Sequence, residues 1–341
     1  MKNTMPIISV CIANYNGMEV IDDCLCSILM QEGNIPVEIL IHDDASSDDS
    51  LAHIRAKYPN ARLLESLDNV GFCVANNRMA AEAKGEYLLL LNNDATLYSD
   101  ALNTMLVEAR RLDKPAIISL PQFNAANGAL IDRGCLLDPF FNPVPNLDPA
   151  RNDVAMVIGA CLWIPKTLWN ELGGFPDWFG SIAEDLYLCC RARLAAYPVR
   201  VIDRSGYLHR VGWSFGGGKV TEERRLVTSR RRRALSERNK TFVMVVCCPT
   251  RWLAVFLPLH LLVLAIEGVV LSILKLDAGL GREIYLNCFR SLWDYRYRLT
   301  HLRKSVRAAT VLNLAAFLKV FRVRPYKLEM LLRHGLPNVL R

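Results

Sequence analysis

The chain has 341 residues, of which 52% are hydrophobic and 22% charged, so core size does not prevent a large α/β domain with an appendage. Its net charge of +7 is unevenly distributed: residues 1–218 carry 17 Lys/Arg against 26 Asp/Glu, and residues 219–341 carry 24 against 8. The acidic and basic parts are expected to face different partners. The eleven cysteines form no CxxC pair, which argues against zinc and thioredoxin-like chemistry and predicts reduced core thiols in a cytosolic domain.

Strands and helices are predicted to alternate along the first 91 residues. The predicted strands are 7–13, 38–41, 62–65 and 87–91, and the predicted helices are 19–30, one capped by 46–49 that reaches Lys57, and 74–83. This alternation with short connections indicates a parallel, doubly wound sheet. The last strand, 87–91, is apolar throughout, which is typical of a strand buried on both faces.

The second hundred residues are less regular. The Pro/Asn-rich stretch 137–149 is interpreted as a surface loop, 154–164 and 199–202 as strands, and 184–193 as a helix. A short helix should end at Gly173-Gly174, and the glycines 216–218 indicate a flexible joint.

The C-terminal part contains a long apolar segment. Residues 252–274 include one acidic group, Glu267, and one histidine, and 23 residues are enough to cross a bilayer. However, Pro258 interrupts the segment, and one crossing would separate the basic run 230–233 from a tail with 14 Lys/Arg and 4 Asp/Glu. Helices in the membrane plane, or a re-entrant hairpin, are therefore favoured over a true span or a buried soluble helix.

Polar groups follow four of the predicted strands: Asn14 to Asn16, Asp43-Asp44, Asn69 with Gly71, and Asn92 to Asp94. The carboxyl ends of parallel strands share one edge, where open α/β sheets bind ligands. Asp94 with its neighbouring amides suits a divalent cation held against a phosphate, although a plain polar turn has the same composition. Neither GxGxxG after the first strand nor GxxxxGK[ST] occurs, so a Rossmann dehydrogenase and a P-loop enzyme are unsupported.

Five segments in this order and spacing resemble glycosyltransferase family 2, the inverting enzymes with the GT-A fold. They are 8–17, 41–48, 69–77, 85–94 and 173–185, and the resemblance extends from residue 7 to about 213. It implies an α/β GT-A fold: a Rossmann-like, mostly parallel central sheet with flanking helices. To this the C-terminal sequence adds a helical, apolar and basic membrane-association region.

The resemblance also implies a nucleotide pocket and a metal site. The nucleotide-binding residues would be Ala13, Asn14, Asp43, Asp44, Asn69, Gly71, Asn77 and Asn93. Asp94 matches the last residue of the DXD metal motif, whereas Asn92 stands where many members have the first Asp, so the site has one carboxylate fewer. His209, followed by 210–214, resembles a segment that completes the shell of a divalent cation, Mg²⁺ or Mn²⁺.

Glu184-Asp185 matches the family's ED motif, in which Asp185 would be the general base. Inversion needs a carboxylate opposite the leaving group to take the proton of the attacking hydroxyl. On its own, the pair could equally stabilise a helix N-terminus. Trp178 could stack on a sugar, although aromatic residues near a helix end more often belong to the core.

The leading hypothesis is a membrane-associated inverting enzyme that moves one sugar from a nucleotide-diphosphate donor to a lipid-linked or polysaccharide acceptor. The pattern looks like rhamnosyltransferase-type members that build bacterial surface glycans such as O-antigen, working at the cytoplasmic face of the inner membrane. No nucleic-acid partner is expected. A processive synthase is disfavoured because Arg251-Trp252 lacks the Gln of a QxxRW motif, and a non-catalytic sugar-nucleotide-binding scaffold is the remaining alternative.

These hypotheses divide the chain into three parts. Residues 1–215 would form the catalytic domain, with a nucleotide-binding half at 1–98 and an acceptor and base half at 99–215. Residues 216–240 would be a basic linker, and 241–341 a helical membrane-associated region.

Overall fold

The computed structural model of the protein describes residues 5–210, 212, 217–220 and 226–340, with the side chains of 217–220 left out. The chain folds into two compact units. The first comprises Met1–Cys135, Pro145–Ala192 and Tyr197–Arg210, and the second comprises Leu136–Val144, Arg193–Ala196 and Val211–Arg341.

The described strands, in chain order, are β1 Ile8–Asn14, β2 Val37–Asp43, β3 Arg62–Glu65, β4 Tyr87–Leu91, β5 Ala95–Leu97, β6 Ile117–Ser119, β7 Gln122–Asn124, β8 Leu130–Asp132, β9 Cys135–Leu137, β10 Pro143–Pro145, β11 Cys161–Pro165, β12 Val199–Val201, β13 Tyr207–His209, β14 Gly217–Val220, β15 Leu226–Ser229 and β16 Asn338–Leu340. The described α-helices are α1 Ile21–Leu29, α2 Ser50–Lys57, α3 Phe72–Glu82, α4 Ala101–Arg111, α5 Lys166–Leu172, α6 Glu184–Leu194, α7 Arg230–Cys247, α8 Thr250–Leu274, α9 Ala278–Leu280, α10 Asn287–Asp294, α11 Arg296–Ala308, α12 Leu314–Leu318 and α13 Tyr326–His334. A 3₁₀ turn covers Asp177–Phe179, and a π-helix covers Gly281–Leu286.

The centre of the first unit is a seven-stranded sheet in the order β12-β6-β11-β4-β1-β2-β3. All its pairs are parallel except those of β11, which runs antiparallel to β4 and β6. Every residue of β4 is buried, because strands lie on both sides of it and apolar side chains cover both faces. The predicted mostly parallel sheet is therefore confirmed, and β3 and β4 have the predicted bounds.

A second sheet of the first unit has the order β5-β13-β7-β8. β13 pairs antiparallel with β5 and parallel with β7, and β7 forms a hairpin with β8. This sheet brings His209 opposite Ala95, next to the end of the central strand β4.

The interpretation of 137–149 as a surface loop is wrong. Strand β10 lies within this stretch and pairs with β9, which ends at Leu137, and Phe141, Asn142 and Asn146 are buried. The fully buried Asp138 carboxylate explains the difference, since it accepts hydrogen bonds from the backbone N–H groups of Phe140, Asn142 and Tyr326. The Asp138 carboxylate therefore accepts the hydrogen bonds that the buried backbone N–H groups of this turn need, although the polar sequence had indicated solvent exposure.

The second unit holds a cluster of buried charges. Lys240 donates to Glu237 at 2.7 Å, and Lys327 donates to Glu237 at 2.6 Å and to Glu267 at 2.7 Å, so the cluster links α7, α8 and α13. Arg233 also pairs with Glu267. Against the cost of burial, the two ammonium groups hold the pKa of Glu237 well below its ordinary value.

The expected linker 216–240 contains regular structure in its described part. Residues 217–220 and 226–229 are strands, and α7 begins at Arg230. The side chain of Ser229 caps this helix by accepting a hydrogen bond from the Arg232 N–H. Gly216 lies outside the described residues, whereas the other two glycines of the expected joint belong to β14.

Helix α8 is long and apolar enough to cross a membrane: an 18-residue stretch of it has a mean hydropathy of 2.3, and 17% of that stretch is buried. One stripe, His260, Leu264, Gly268 and Leu271, is buried at helical spacing. The opposite side exposes apolar side chains, among them Leu262, Ile266 and Ile273. All eleven cysteines are free thiols and ten are buried, as the sequence predicted.

Candidate functional site

Three polar side chains from neighbouring strand ends form one buried network. Asn14 Nδ2 donates to Asp43 Oδ2 at 3.0 Å, and Asn93 Nδ2 donates to Asn14 Oδ1 at 3.0 Å. Asp43 also accepts from the backbone N–H of Ser46. The three residues are less than 9% exposed, so the structure brings them together as a scaffold under the sheet edge.

A second group of predicted residues shapes the loop before α3. Asp44 accepts from the N–H groups of Val70 at 2.7 Å and Gly71 at 2.9 Å, which fixes the loop against the end of β2. Gly71 has φ +85°, and a Cβ there would lie 3.1 Å from the Gly180 carbonyl oxygen. Asn69 precedes this turn and is exposed, and Ala13 is half-buried in β1 beside His42.

Asn77 joins α3 to the segment after α5. Its Nδ2 donates to the Phe175 carbonyl at 2.8 Å and to Asp177 Oδ1 at 2.7 Å, and its Oδ1 accepts from the Phe175 N–H at 3.0 Å. Trp178 is half-buried and packs edge-on against Phe179 at 4.7 Å between ring centroids.

Asp94, His209 and Asn92 converge at the end of β4. His209 Nε2 lies 3.1 Å from Asp94 Oδ1 and 3.4 Å from the Asn92 side-chain nitrogen, and both Asp94 and His209 are buried. The enclosed His209 Nδ1 has no hydrogen-bond partner among the described residues. One Nε2 atom can donate to the carboxylate or accept from the amide, but it cannot do both.

The chemistry of these groups fits a divalent cation, because the carboxylate of Asp94, the imidazole of His209 and the amide oxygen of Asn92 could each donate a lone pair to it. Across the described ranges, no three His, Cys, Asp or Glu side chains converge in a way that could hold a metal. The remaining ligands would have to come from a bound phosphate or water.

Asp185 lies at the start of α6. Its Oδ2 accepts from the Gly159 N–H at 2.9 Å and its Oδ1 from the Leu186 N–H at 2.7 Å, so two backbone bonds orient the carboxylate. Glu184 is 6% exposed at the first position of the helix. Ile182 and Ala183, just before it, have φ of 70° and 67°, in the left-handed region that residues other than glycine seldom adopt.

One buried carboxylate, Asp132, was not identified from the sequence. It pairs across β8 and β7 with Gln122, which pairs with Tyr207 on β13, and the Tyr207 hydroxyl donates to Gln122 Oε1 at 2.7 Å. Residues directly opposite each other on paired strands lie on the same face of the sheet, so Asp132, Gln122 and Tyr207 share a face. Residues two apart on a strand also share a face, so His209 lies on this face as well. Only long-range strand pairing brings them together, so no local signal in the sequence could have found Asp132.

Asp132 is in an unfavourable environment for its charge. It is 3% exposed, and burial raises its pKa to about 7, although the Gly134 N–H and His209 favour the charged form. Burial also raises the pKa of the Cys135 thiol, and the nearby carboxylates of Asp132 and Asp185 act in the same direction. The predicted residues Val211, Trp213 and Ser214 lie outside the described residues.

The mostly parallel α/β sheet with polar strand ends and the helical C-terminal region form a GT-A-like fold, as the comparisons with known proteins show. Residues 9–135 match the family model of glycosyl transferase family 2, so the chain carries a domain of this family, as its motif segments predicted.

The N-acetylglucosaminyl-diphospho-decaprenol L-rhamnosyltransferase of Mycobacterium tuberculosis is 23% identical over 247 residues, which are 63% of this chain and 79% of that protein. An uncharacterized protein of the same organism, MT1568, is 37% identical over 113 residues, 33% of this chain and 34% of its own length.

Two solved structures share the fold. S. aureus TarS, residues 1–349, has 15% identity and a TM-score of 0.55 over 89% of this chain and 87% of that chain. GalNAc-T7 with UDP, GalNAc and Mn²⁺ has 16% identity and a TM-score of 0.55 over 72% of this chain and 48% of that chain.

Proposed function

We propose that the protein is an inverting glycosyltransferase that transfers a single sugar from a nucleotide-diphosphate donor to a lipid-linked or polysaccharide acceptor during bacterial cell-surface glycan synthesis. The observation that carries the proposal is that the family 2 domain forms one compact unit with the Asp94–His209 pair and the oriented carboxylate of Asp185.

Asp185 is the proposed general base. It takes the proton of the acceptor hydroxyl while that oxygen attacks the anomeric carbon, and the bond from this carbon to the donor phosphate breaks on the opposite side. The Gly159 and Leu186 N–H groups orient the carboxylate without using all of its lone pairs. Glu184, the first residue of α6, is buried beside it.

Asp94, His209 and Asn92 are the proposed ligands of a divalent cation, Mg²⁺ or Mn²⁺. When bound, such a cation would stabilise the negative charge that develops on the leaving diphosphate. The Mn²⁺ in the GalNAc-T7 structure supports a cation in this fold. Asn92 supplies no charge, so we expect the donor to strengthen cation binding.

The nucleotide would lie over the strand ends. Ala13, Asp43, Asp44 and Asn69 line the proposed base and ribose site, while Gly71 lets the loop approach Gly180. Asn14 and Asn93 support Asp43 from below, and Asn77 closes the pocket by anchoring Phe175. The mycobacterial relative named as an L-rhamnosyltransferase supports a rhamnose or related deoxysugar donor.

The C-terminal part of the chain is the proposed membrane-associated region. Residues 1–215 would be catalytic, 216–240 would connect, and 241–341 would hold the protein at the cytoplasmic face of the inner membrane. The exposed apolar side of α8 and the net +16 of residues 219–341 support this role, since anionic lipid attracts basic residues.

Thermal-shift measurements with UDP-, dTDP- and GDP-sugars test donor binding. With Mn²⁺, one class of donor should raise the melting temperature, and Asp94→Asn should remove most of the increase caused by Mn²⁺. Asp203→Asn, at an exposed position, is the matched control. If no nucleotide sugar stabilises the wild-type protein, the proposed function is wrong.

A further inference from the structure

Arg133 is a buried cation that has no ion-pair partner in the part of the chain that the structure describes. It is 8% exposed, and its enclosed Nε and Nη2 have no hydrogen-bond partner among the described residues. A guanidinium stays charged at any physiological pH, and buried charges in proteins are normally paired. Other buried cations of this chain follow that rule, since Arg233 pairs with Glu267 and Lys240 with Glu237.

The backbone around Arg133 is held in place. The Arg133 N–H donates to the Asn146 carbonyl at 2.8 Å, and Asn146 Nδ2 donates back to the Arg133 carbonyl at 3.2 Å. On the next residue, the Gly134 N–H donates to Asp132 Oδ1 at 2.8 Å. The backbone that carries the unpaired charge is therefore fixed, so only the side chain of Arg133 has to move on binding.

Arg133 follows Asp132 at the β8 end of the second sheet, whose other end is β5. It directly follows β8, and Asp94 directly precedes β5, at the other end of the strand order β5-β13-β7-β8. Three strand spacings of about 4.8 Å separate β8 from β5 by about 14 Å. Cys135, two residues after Arg133, is within the electrostatic influence of Asp185. Arg133 thus stands at the opposite end of this strand order from Asp94.

We propose that Arg133 binds a phosphate or diphosphate group of the acceptor substrate. The proposal rests on the proposed function, in which a lipid-linked acceptor meets Asp185. Nε and Nη2 form one edge of the guanidinium, and this edge matches two oxygens of a phosphate. Because both atoms are enclosed, the side chain turns outward when the anion arrives, and relief of the unpaired charge favours this change.

The experiment compares Arg133→Met and Arg133→Lys with wild-type full-length protein. Melting temperatures are measured alone, with inorganic pyrophosphate, with farnesyl diphosphate, and with UDP and Mn²⁺. Arg204→Met, whose side chain is 85% exposed, is the matched control.

Arg133→Met should melt no lower than the wild type without ligand, because it removes an unpaired buried charge. It should bind farnesyl diphosphate and pyrophosphate at least 10-fold more weakly, Arg133→Lys should lose less, and both should bind UDP with Mn²⁺ as the wild type does.

Three results would overturn the proposal: a lower melting temperature of Arg133→Met without ligand, equal binding of both diphosphates by wild type and variant, or a loss confined to UDP. The last result would assign the phosphate to the donor. A wild-type protein that binds no nucleotide, but binds farnesyl diphosphate and loses this binding in Arg133→Met, would contradict the proposed function and leave the Arg133 site supported.

Discussion

At the residue scale, the main observation is how differently the buried carboxylates of the first unit are satisfied. Asp43 and Asp44 accept several hydrogen bonds and shape the strand-end turns. Asp94 meets an imidazole, and Asp132 has the environment least suited to charge. Identical side chains therefore carry out structural, proposed cation-binding and still unassigned roles because their neighbours differ.

Asp132→Asn should change how stability depends on pH. The folded-state pKa, about 7, lies above the usual value of about 3.9, so the folded state binds more protons between these values. The free energy of unfolding of the wild type should therefore fall as pH rises through this range, by up to about 4 kcal/mol.

Asn does not titrate, so the variant should lack this decrease and gain stability relative to the wild type at pH 8. Urea unfolding at pH 4.5 and pH 8 measures both proteins, with Asp203→Asn as the control. Parallel pH profiles of the wild type and Asp132→Asn would refute the buried, charge-disfavouring site.

At the element scale, local patterns predicted the first four strands well. The continuous apolar run of β4 and the alternating strand and helix signals around it are short-range features, and their bounds matched within a few residues. The segment 137–149 was misinterpreted because its burial depends on Asp138 accepting bonds from distant Tyr326. Asp132 was missed for a similar reason, since only the pairing of β7, β8 and β13 brings it to the face of His209.

Glu237 should be essential for holding α7, α8 and α13 together. Glu237→Gln leaves Lys240, which is 4% exposed, beside a neutral amide, and we expect a loss of about 3–5 kcal/mol in the free energy of unfolding. Asp294→Asn breaks an exposed pair with Arg290 and should cost less than about 1 kcal/mol. Denaturant titration of both variants measures the difference, and equal costs would show that the buried cluster does not stabilise the unit.

At the scale of the whole molecule, the two units differ in the sign of their net charge and in the side chains that they expose. The first carries the acidic strand-end residues, and the second carries most of the basic residues and the exposed apolar side of α8. Glu267, the single acidic group of α8, is neutralised by Arg233 and Lys327, so it does not prevent this helix from meeting lipid.

Replacing Leu262 and Ile266 by Glu should weaken binding to anionic phospholipid vesicles at least 10-fold. Both side chains are more than half exposed, at 57% and 54%, so the folded state should be unaffected. Val107→Glu, at a 58% exposed position of the first unit, is the matched control. Co-sedimentation with vesicles is the measurement, and undiminished binding of the double variant would contradict a lipid-facing α8.

The central claim is that Asp185 is the base of a sugar-transfer reaction. Purified protein is incubated with the stabilising nucleotide sugar, Mn²⁺ and a prenyl-diphosphate-linked sugar, and transfer is compared between the wild type, Asp185→Asn and Asp203→Asn. The account predicts transfer with inversion, a decrease of at least about 100-fold in rate for Asp185→Asn with donor binding retained, and no change for Asp203→Asn. Transfer by Asp185→Asn at the wild-type rate would contradict it.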